Sequence, residues 1–123
     1  MLRVLVCILL VIALFPARAD FEKGVAAYQE GDFETAFAEF EKLANLGIVV
    51  AQTNLGYMYD EGRTVKQDFV ESYKWFLLAA ERGREGAEGH LKLLEAEYMT
   101  PEQVETAKAR AAEWQPKPEK PAE

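Results

Sequence analysis

The chain has 123 residues, with 14 lysines and arginines against 21 aspartates and glutamates, and therefore a formal net charge of −7. This length allows one domain with a modest core. The acidic balance argues against nucleic acid and against anionic lipid surfaces as partners, because both are bound through clustered cations.

The first 19 residues predict a cleavable signal peptide. Arg3 precedes an unbroken apolar run over 4–15, and Pro16 precedes the small-x-small triplet at 17–19. An uncleaved membrane anchor is disfavoured, because a run of 12 residues is shorter than the roughly twenty that a spanning helix needs. Cleavage before Asp20 leaves 12 basic and 21 acidic residues, a net charge of −9, and no cysteine. We therefore expect a periplasmic or secreted protein without stable membrane insertion after cleavage.

Apolar residues at helical spacing predict pairs of antiparallel helices. Ala51, Leu55 and Tyr59 form one stripe, and Gly62 ends that helix. Asp68 is a favourable N-cap for the next helix. The apolar positions of this second helix are Phe69, Tyr73, Phe76 and Ala80, and Gly83 follows its end.

The same pattern recurs along the chain. The second helices of the pairs match at a shift of 36 residues, as with Asp32 and Asp68, whereas the first helices match best at 31, as with Tyr28 and Tyr59. The two shifts differ by five residues, which indicates that the turn of the second pair has five extra residues, 63–67. A fixed period of this size predicts a short α-solenoid, and thus an all-α fold. The domain is expected over 20–114, with repeat units at 21–50 and 51–86 and a partial unit at 87–114.

A closing helix is predicted after Tyr98. Thr100 and Gln103 fit a capping box, and Pro101 suits the first helical position. Its apolar face consists of Val104, Ala107, Ala111 and Trp114. We expect this helix to cover the open end of the solenoid. Residues 115–123 contain three prolines and are expected to form a disordered tail.

Residues 51–87 resemble a Sel1-like repeat, a relative of the tetratricopeptide repeat. The resemblance lies in Ala-x3-Leu-Gly-x2-Tyr at 51–59, Val-x2-Asp at 65–68, and Trp-aromatic-x2-Ala-Ala-x2-Gly at 75–83. Thr64 departs from it, since a glycine is usual in this turn. The resemblance implies a solenoid of antiparallel helix pairs that binds other proteins.

The resemblance also implies that the first helix of each unit lines a concave groove. Positions 53, 57, 60 and 61 would face it, and shifts of −31 and +36 carry them to the neighbouring units. Beside Ala26, Gly89 and Ala96, the predicted groove residues are Glu22, Gln29, Glu30, Thr53, Tyr57, Asp60, Glu61, Leu93 and Glu97. Acidic residues around Tyr57 and Leu93 suit a basic or basic-apolar partner segment. The alternative is a solvated acidic face without a partner.

Few residues in the chain are suited to catalysis. His90 is the only histidine, and Ser72, at a usual alanine position of the resembled repeat, is the only serine. A Ser-His or Cys-His nucleophile therefore lacks its residues. His90 has no partner at metal-ligand spacing, so we predict a structural or exposed role for it. We expect no catalytic residue, metal or cofactor.

The expected function is that of an exported interaction module: an adaptor, scaffold or regulator. The alternative is a hydrolase or penicillin-binding protein, since some disulfide-rich exported proteins of the resembled family bind or hydrolyse β-lactams. The absence of cysteine from the mature chain disfavours this alternative, because those proteins carry one disulfide per repeat. Action on a host partner after secretion stays open, and the oligomeric state is not predicted.

Overall fold

The computed structural model describes residues 17–117. Its helices are α1 at 17–29, α2 at Phe33–Asn45, α3 at Val49–Glu61, α4 at Phe69–Glu81, α5 at Ala87–Glu97 and α6 at Pro101–Glu113. The all-α prediction is confirmed. Within this part of the chain no helix is long and apolar enough to cross a membrane. The predicted signal peptide up to residue 16 and the tail from residue 118 lie outside the described residues.

In chain order, the six helices supply the first and second helices of three units. Helix α4 packs against α3, α5 and α6, while α2 packs against α3. One buried cluster joins α2, α3, α4 and α6 through Leu43, Leu55, Trp75 and Ala111. The second helices of all three units thus share a core, and α6 covers α4 as the predicted closing helix.

The predicted helix ends are confirmed. Asp32 and Asp68 each accept a hydrogen bond from the backbone amide three residues further on, at 3.2 and 3.1 Å. Gly62 ends α3 in the left-handed conformation, with a φ of 66°. Thr100 and Gln103 form the capping box at the start of α6, with reciprocal bonds of 2.9 and 3.2 Å. These local caps position each turn of the solenoid.

The register between the first two units differs from the prediction. A Cβ atom added to Gly24 would lie 2.8 Å from the ring of Phe40, and one added to Gly56 would lie 2.8 Å from the ring of Phe76. These matching contacts relate α1 to α3 by 32 residues rather than 31, and α2 to α4 by 36. Three residues join α1 to α2 and seven join α3 to α4, so the longer turn has four extra residues, not five.

The predicted shift of 31 residues was wrong because two pairs of identical residues match at this shift by coincidence. Tyr28 matches Tyr59 and Gly31 matches Gly62 at a shift of 31. In the structure, Ala27 is the equivalent of Tyr59, since the carbonyl oxygen of each accepts from the amide of the following N-cap aspartate, at 2.8 and 3.0 Å. The close approach of the helices, rather than residue identity, sets the register.

Gly56 and Gly89 should respond oppositely to substitution by alanine. We expect Gly56→Ala to destabilise the protein by about 1–3 kcal/mol, because the fully buried ring of Phe76 leaves no room for the methyl group. Gly89 has no atom within 4 Å of an added Cβ, so Gly89→Ala should stabilise α5 by about 0.5–1 kcal/mol. Denaturant unfolding of both variants measures the difference. Equal effects would contradict the assigned close contact.

The residues after α6 remain attached to the domain. The ring of Trp114 packs edge-to-face on that of Trp75, with centroids 6.1 Å apart. The backbone amide of Lys117 donates to the carbonyl oxygen of Asn45 at 2.7 Å. Residues 115–117 are irregular and run to the end of α2.

Candidate functional site

The structure places one predicted groove residue in the interior. Thr53 is only 7 % exposed, and its hydroxyl donates to the carbonyl oxygen of Val49 at 3.1 Å. Helix α3 packs against both α2 and α4. The assignment of Thr53 to a partner-binding surface is therefore wrong. The remaining predicted residues are exposed or half-buried: Glu22, Gln29, Glu30, Tyr57, Asp60, Glu61, Leu93 and Glu97.

Helices α1 and α3 leave an open cavity of about 300 Å³ between them. Three of the predicted residues, Gln29, Tyr57 and Glu61, line this cavity together. Its other lining residues are Val25, Tyr28, Phe40, Asn54 and Met58. This cavity lies at the junction of the first two units.

The corrected register accounts for the α1 residues at the cavity. A shift of 32 makes Val25 the equivalent of Tyr57 and brings Tyr28 onto the same face, and both line the cavity. Glu22 and Glu30, which were predicted with a shift of 31, are exposed outside it. The acidic character of the α1 wall is thus lower than the sequence analysis predicted.

The corresponding space between α3 and α5 is filled by side chains. The ring of Tyr57 packs edge-to-face on Phe76 and on His90, with centroid distances of 4.9 and 5.2 Å. His90 also lies over Phe76 at 4.2 Å, and its Nε2 atom is 3.2 Å from Oδ2 of Asp60. His90 therefore has the structural role that was predicted for it, since it links α5 to α3.

Two replacements between units explain why only the first space is open. Val25 occupies the position of Tyr57, and Asn54 occupies the position of His90, which lies 36 residues further on. The smaller side chains leave the volume that a tyrosine and a histidine fill in the next unit. Sequence reasoning missed Tyr28 and Asn54. The correct register identifies Tyr28, and Asn54 lies three residues from Tyr57, on the same helix face.

Glu61 is the one formally charged residue that lines the cavity. The hydroxyl of Tyr28 donates to its Oε2 at 3.1 Å, and Nε of Arg63 lies 3.7 Å from the same oxygen. Burial, and then the bond to Glu61, raise the pKa of Tyr28. Tyr28 is therefore a neutral hydrogen-bond donor at physiological pH, and the cavity keeps its negative charge.

The remaining chemical candidates have structural contacts. Ser72 is fully buried, and its hydroxyl donates to the carbonyl oxygen of Gly56 at 2.8 Å. It is a small residue between α3 and α4. Across residues 17–117, no three histidine, cysteine, aspartate or glutamate side chains come together as a possible metal site.

A comparison with known protein families identifies a repeat in the middle of the chain. The family model described as Sel1 repeat matches residues 49–83. This span contains α3, the long turn and α4, which are the helix pair on which the sequence resemblance was based. No curated protein matches the chain. The recognition of the repeat is confirmed by this match.

Proposed function

We propose that this chain, which is a Sel1-like repeat protein, is an exported interaction module that holds a segment of another protein in the groove formed by α1, α3 and α5. Sel1 repeats are in general modules for protein–protein interaction. We further propose that the protein is exported and that its groove binds a partner segment of basic or basic-apolar character.

The proposal is supported above all by the position of Tyr57. Its side chain is 44 % exposed, although its ring packs on Phe76 and His90. A ring held on two sides loses little conformational entropy when a partner covers the rest of it. Aromatic residues of this kind commonly dominate binding energy. Tyr57 also lies between the open cavity and the filled space, which is the centre of the groove.

The charge of the groove favours a basic partner. The charged residues that remain in the groove after the register is corrected are all acidic: Asp60, Glu61 and Glu97. Rim charges of one sign increase the rate of association with an opposite charge, and salt weakens this effect. The partner segment is therefore basic, with apolar residues that cover Tyr57 and Leu93.

Export rests on the predicted signal peptide, and the fold is compatible with cleavage before Asp20. The ring of Phe21 packs on that of Phe40, with centroids 5.8 Å apart, and Gly24 approaches the same ring. These core contacts of α1 remain after cleavage. Cleavage removes Ala17, which packs at the edge of the core, and the exposed ion pair of Arg18 with Glu22. The ion pair contributes little to stability.

Site-specific photo-crosslinking in cells tests the proposal. A photoreactive amino acid at Gln29 or Leu93 should capture a partner in the envelope or medium, whereas one at the exposed positions Glu105 or Ala109 of α6 should not. The intact mass of the crosslinked chain should correspond to a start at Asp20. Equal capture from α6 would contradict the groove assignment, and a retained Met1 would contradict cleavage.

Tyr57→Ala in the same experiment should strongly reduce capture while the fold remains intact. Removal of a central aromatic anchor costs about 2 kcal/mol or more, roughly thirty-fold in affinity. Tyr98→Ala is the matched control, because Tyr98 is 55 % exposed and packs on Phe69, away from the groove. Circular dichroism checks the fold of both variants. Undiminished capture by folded Tyr57→Ala would refute the role of this residue.

A further inference from the structure

We infer that the cavity between α1 and α3 is a specificity pocket for one arginine side chain of the partner segment. This inference rests on the proposed function, and it identifies the residue that the groove recognises.

The shape of the cavity fits one long side chain. Its volume of about 300 Å³ is at the lower end of the range for ligand pockets, about 300–1,000 Å³. Val25, Phe40, Met58 and the ring of Tyr57 supply apolar surface for an aliphatic stem. Arginine and lysine side chains cover such surface with their methylene groups while their charged ends reach polar groups.

The polar groups at the cavity suit a cationic end with several donors. Glu61 supplies the only formal charge of the lining, and the amides of Gln29 and Asn54 supply carbonyl oxygens. Neither amide makes a side-chain hydrogen bond to another residue of 17–117. A guanidinium group has five N–H donors and no acceptor, whereas an ammonium group has three donors. Arginine therefore satisfies more of these acceptors than lysine does.

One carboxylate oxygen of Glu61, Oε1, has few contacts with hydrogen-bond donors of the protein. Oε2 receives the bond from Tyr28 and the longer contact from Arg63, whereas Oε1 has a contact of 3.5 Å to the same tyrosine hydroxyl. The guanidinium carbon of Arg63 lies 5.6 Å from the ring centroid of Phe33, and Arg63 does not line the cavity. An incoming arginine can thus reach Oε1 without displacing either neighbour.

Because the space between α3 and α5 is filled, the arginine of a bound segment can enter the groove only between α1 and α3. Tyr57 and His90 occupy the volume between α3 and α5 that Val25 and Asn54 leave open between α1 and α3. A bound segment therefore places one arginine between the first two units, and its neighbouring apolar residues lie over Tyr57.

A peptide titration tests the inference. The probes are acetylated and amidated pentapeptides Ala-Ala-X-Ala-Ala, where X is arginine or its neutral isostere citrulline, added to the ¹⁵N-labelled protein. The arginine peptide should shift the amide signals of Val25, Tyr28 and Asn54, with an affinity about two- to fivefold above that of the citrulline peptide, as one partly exposed ion pair provides. Equal affinity of the two peptides would overturn the inference.

Three variants separate the pocket from general attraction to an acidic surface. Glu61→Gln should abolish the preference for arginine over citrulline, whereas Glu97→Gln, at an exposed groove position outside the cavity, should retain it. Val25→Tyr should fill the cavity as Tyr57 fills the next space, and should abolish the saturable shifts. A similar loss in Glu97→Gln, or unchanged binding by folded Val25→Tyr, would overturn the pocket.

The two proposals fail in different ways. Groove crosslinks that persist without any preference for arginine would overturn the pocket alone. A preference for arginine without groove crosslinks in cells would overturn the proposed function alone.

Discussion

Deletion of residues 100–123 should lower the melting temperature by about 20 °C or more, or prevent folding. Helix α6 contributes Val104, Ala107 and Ala111 to the core, and their removal exposes the facing side of α4. The deletion also removes Trp114 and exposes Tyr73 and Trp75 of α4, and the burial of each large apolar side chain contributes about 1.5–3 kcal/mol. A domain of this size has a total stability of about 5–15 kcal/mol, and each kcal/mol corresponds to about 4–8 °C. The loss is therefore comparable with the whole stability.

Circular-dichroism melting of the truncated and full chains measures this effect. The matched control is a deletion of residues 118–123, which leaves every contact described here in place, including the bond from Lys117 to Asn45. This shorter deletion should leave the melting temperature unchanged. If deletion from residue 100 also left melting unchanged, α6 would not be the closing helix of the core.

Phe76→Ala should destabilise the protein by about 3–5 kcal/mol, as is usual when a fully buried phenylalanine is truncated. The ring lies against Gly56, Tyr57 and His90, so its loss leaves a cavity bordered by α3, α4 and α5. Leu77→Ala is the control, because Leu77 is the next residue of the same helix and is half-buried.

Denaturant unfolding should show a clearly smaller loss for Leu77→Ala, and the melting temperature of Phe76→Ala should fall by about 12 °C or more. Equal losses for the two variants would show that Phe76 is not the packing centre between the second and third units.

The helix ends could be predicted because their signals are local. Asp68 binds an amide three residues away, and Thr100 and Gln103 cap each other within one turn. The exposure of Tyr57 was predictable for the same reason. It lies two residues from Leu55 and two from Tyr59, so it points about 200° around the helix from each. In the structure Tyr57 is 44 % exposed.

The details of the groove could not be predicted, because they depend on how closely neighbouring helices approach. The register of α1 is set by the contact of Gly24 with Phe40, at 2.8 Å from an added Cβ, and not by the identity of Tyr28 with Tyr59. Thr53 is buried although its position in the repeat predicted exposure. Periodicity within one helix indicates neither the register between helices nor which of its residues a neighbouring helix buries.

The shared cluster of Leu43, Trp75 and Ala111 affects how the chain folds. Repeat arrays usually have contacts only between adjacent units, so their terminal units unfold separately. Here the cluster joins α2, α4 and α6, and the bond from Lys117 to Asn45 connects the last described residue to the first unit. We expect the three units to unfold in a single cooperative transition. A partner bound at the first two units would then protect the third from proteolysis as well, because binding to the native state stabilises the whole cooperative unit.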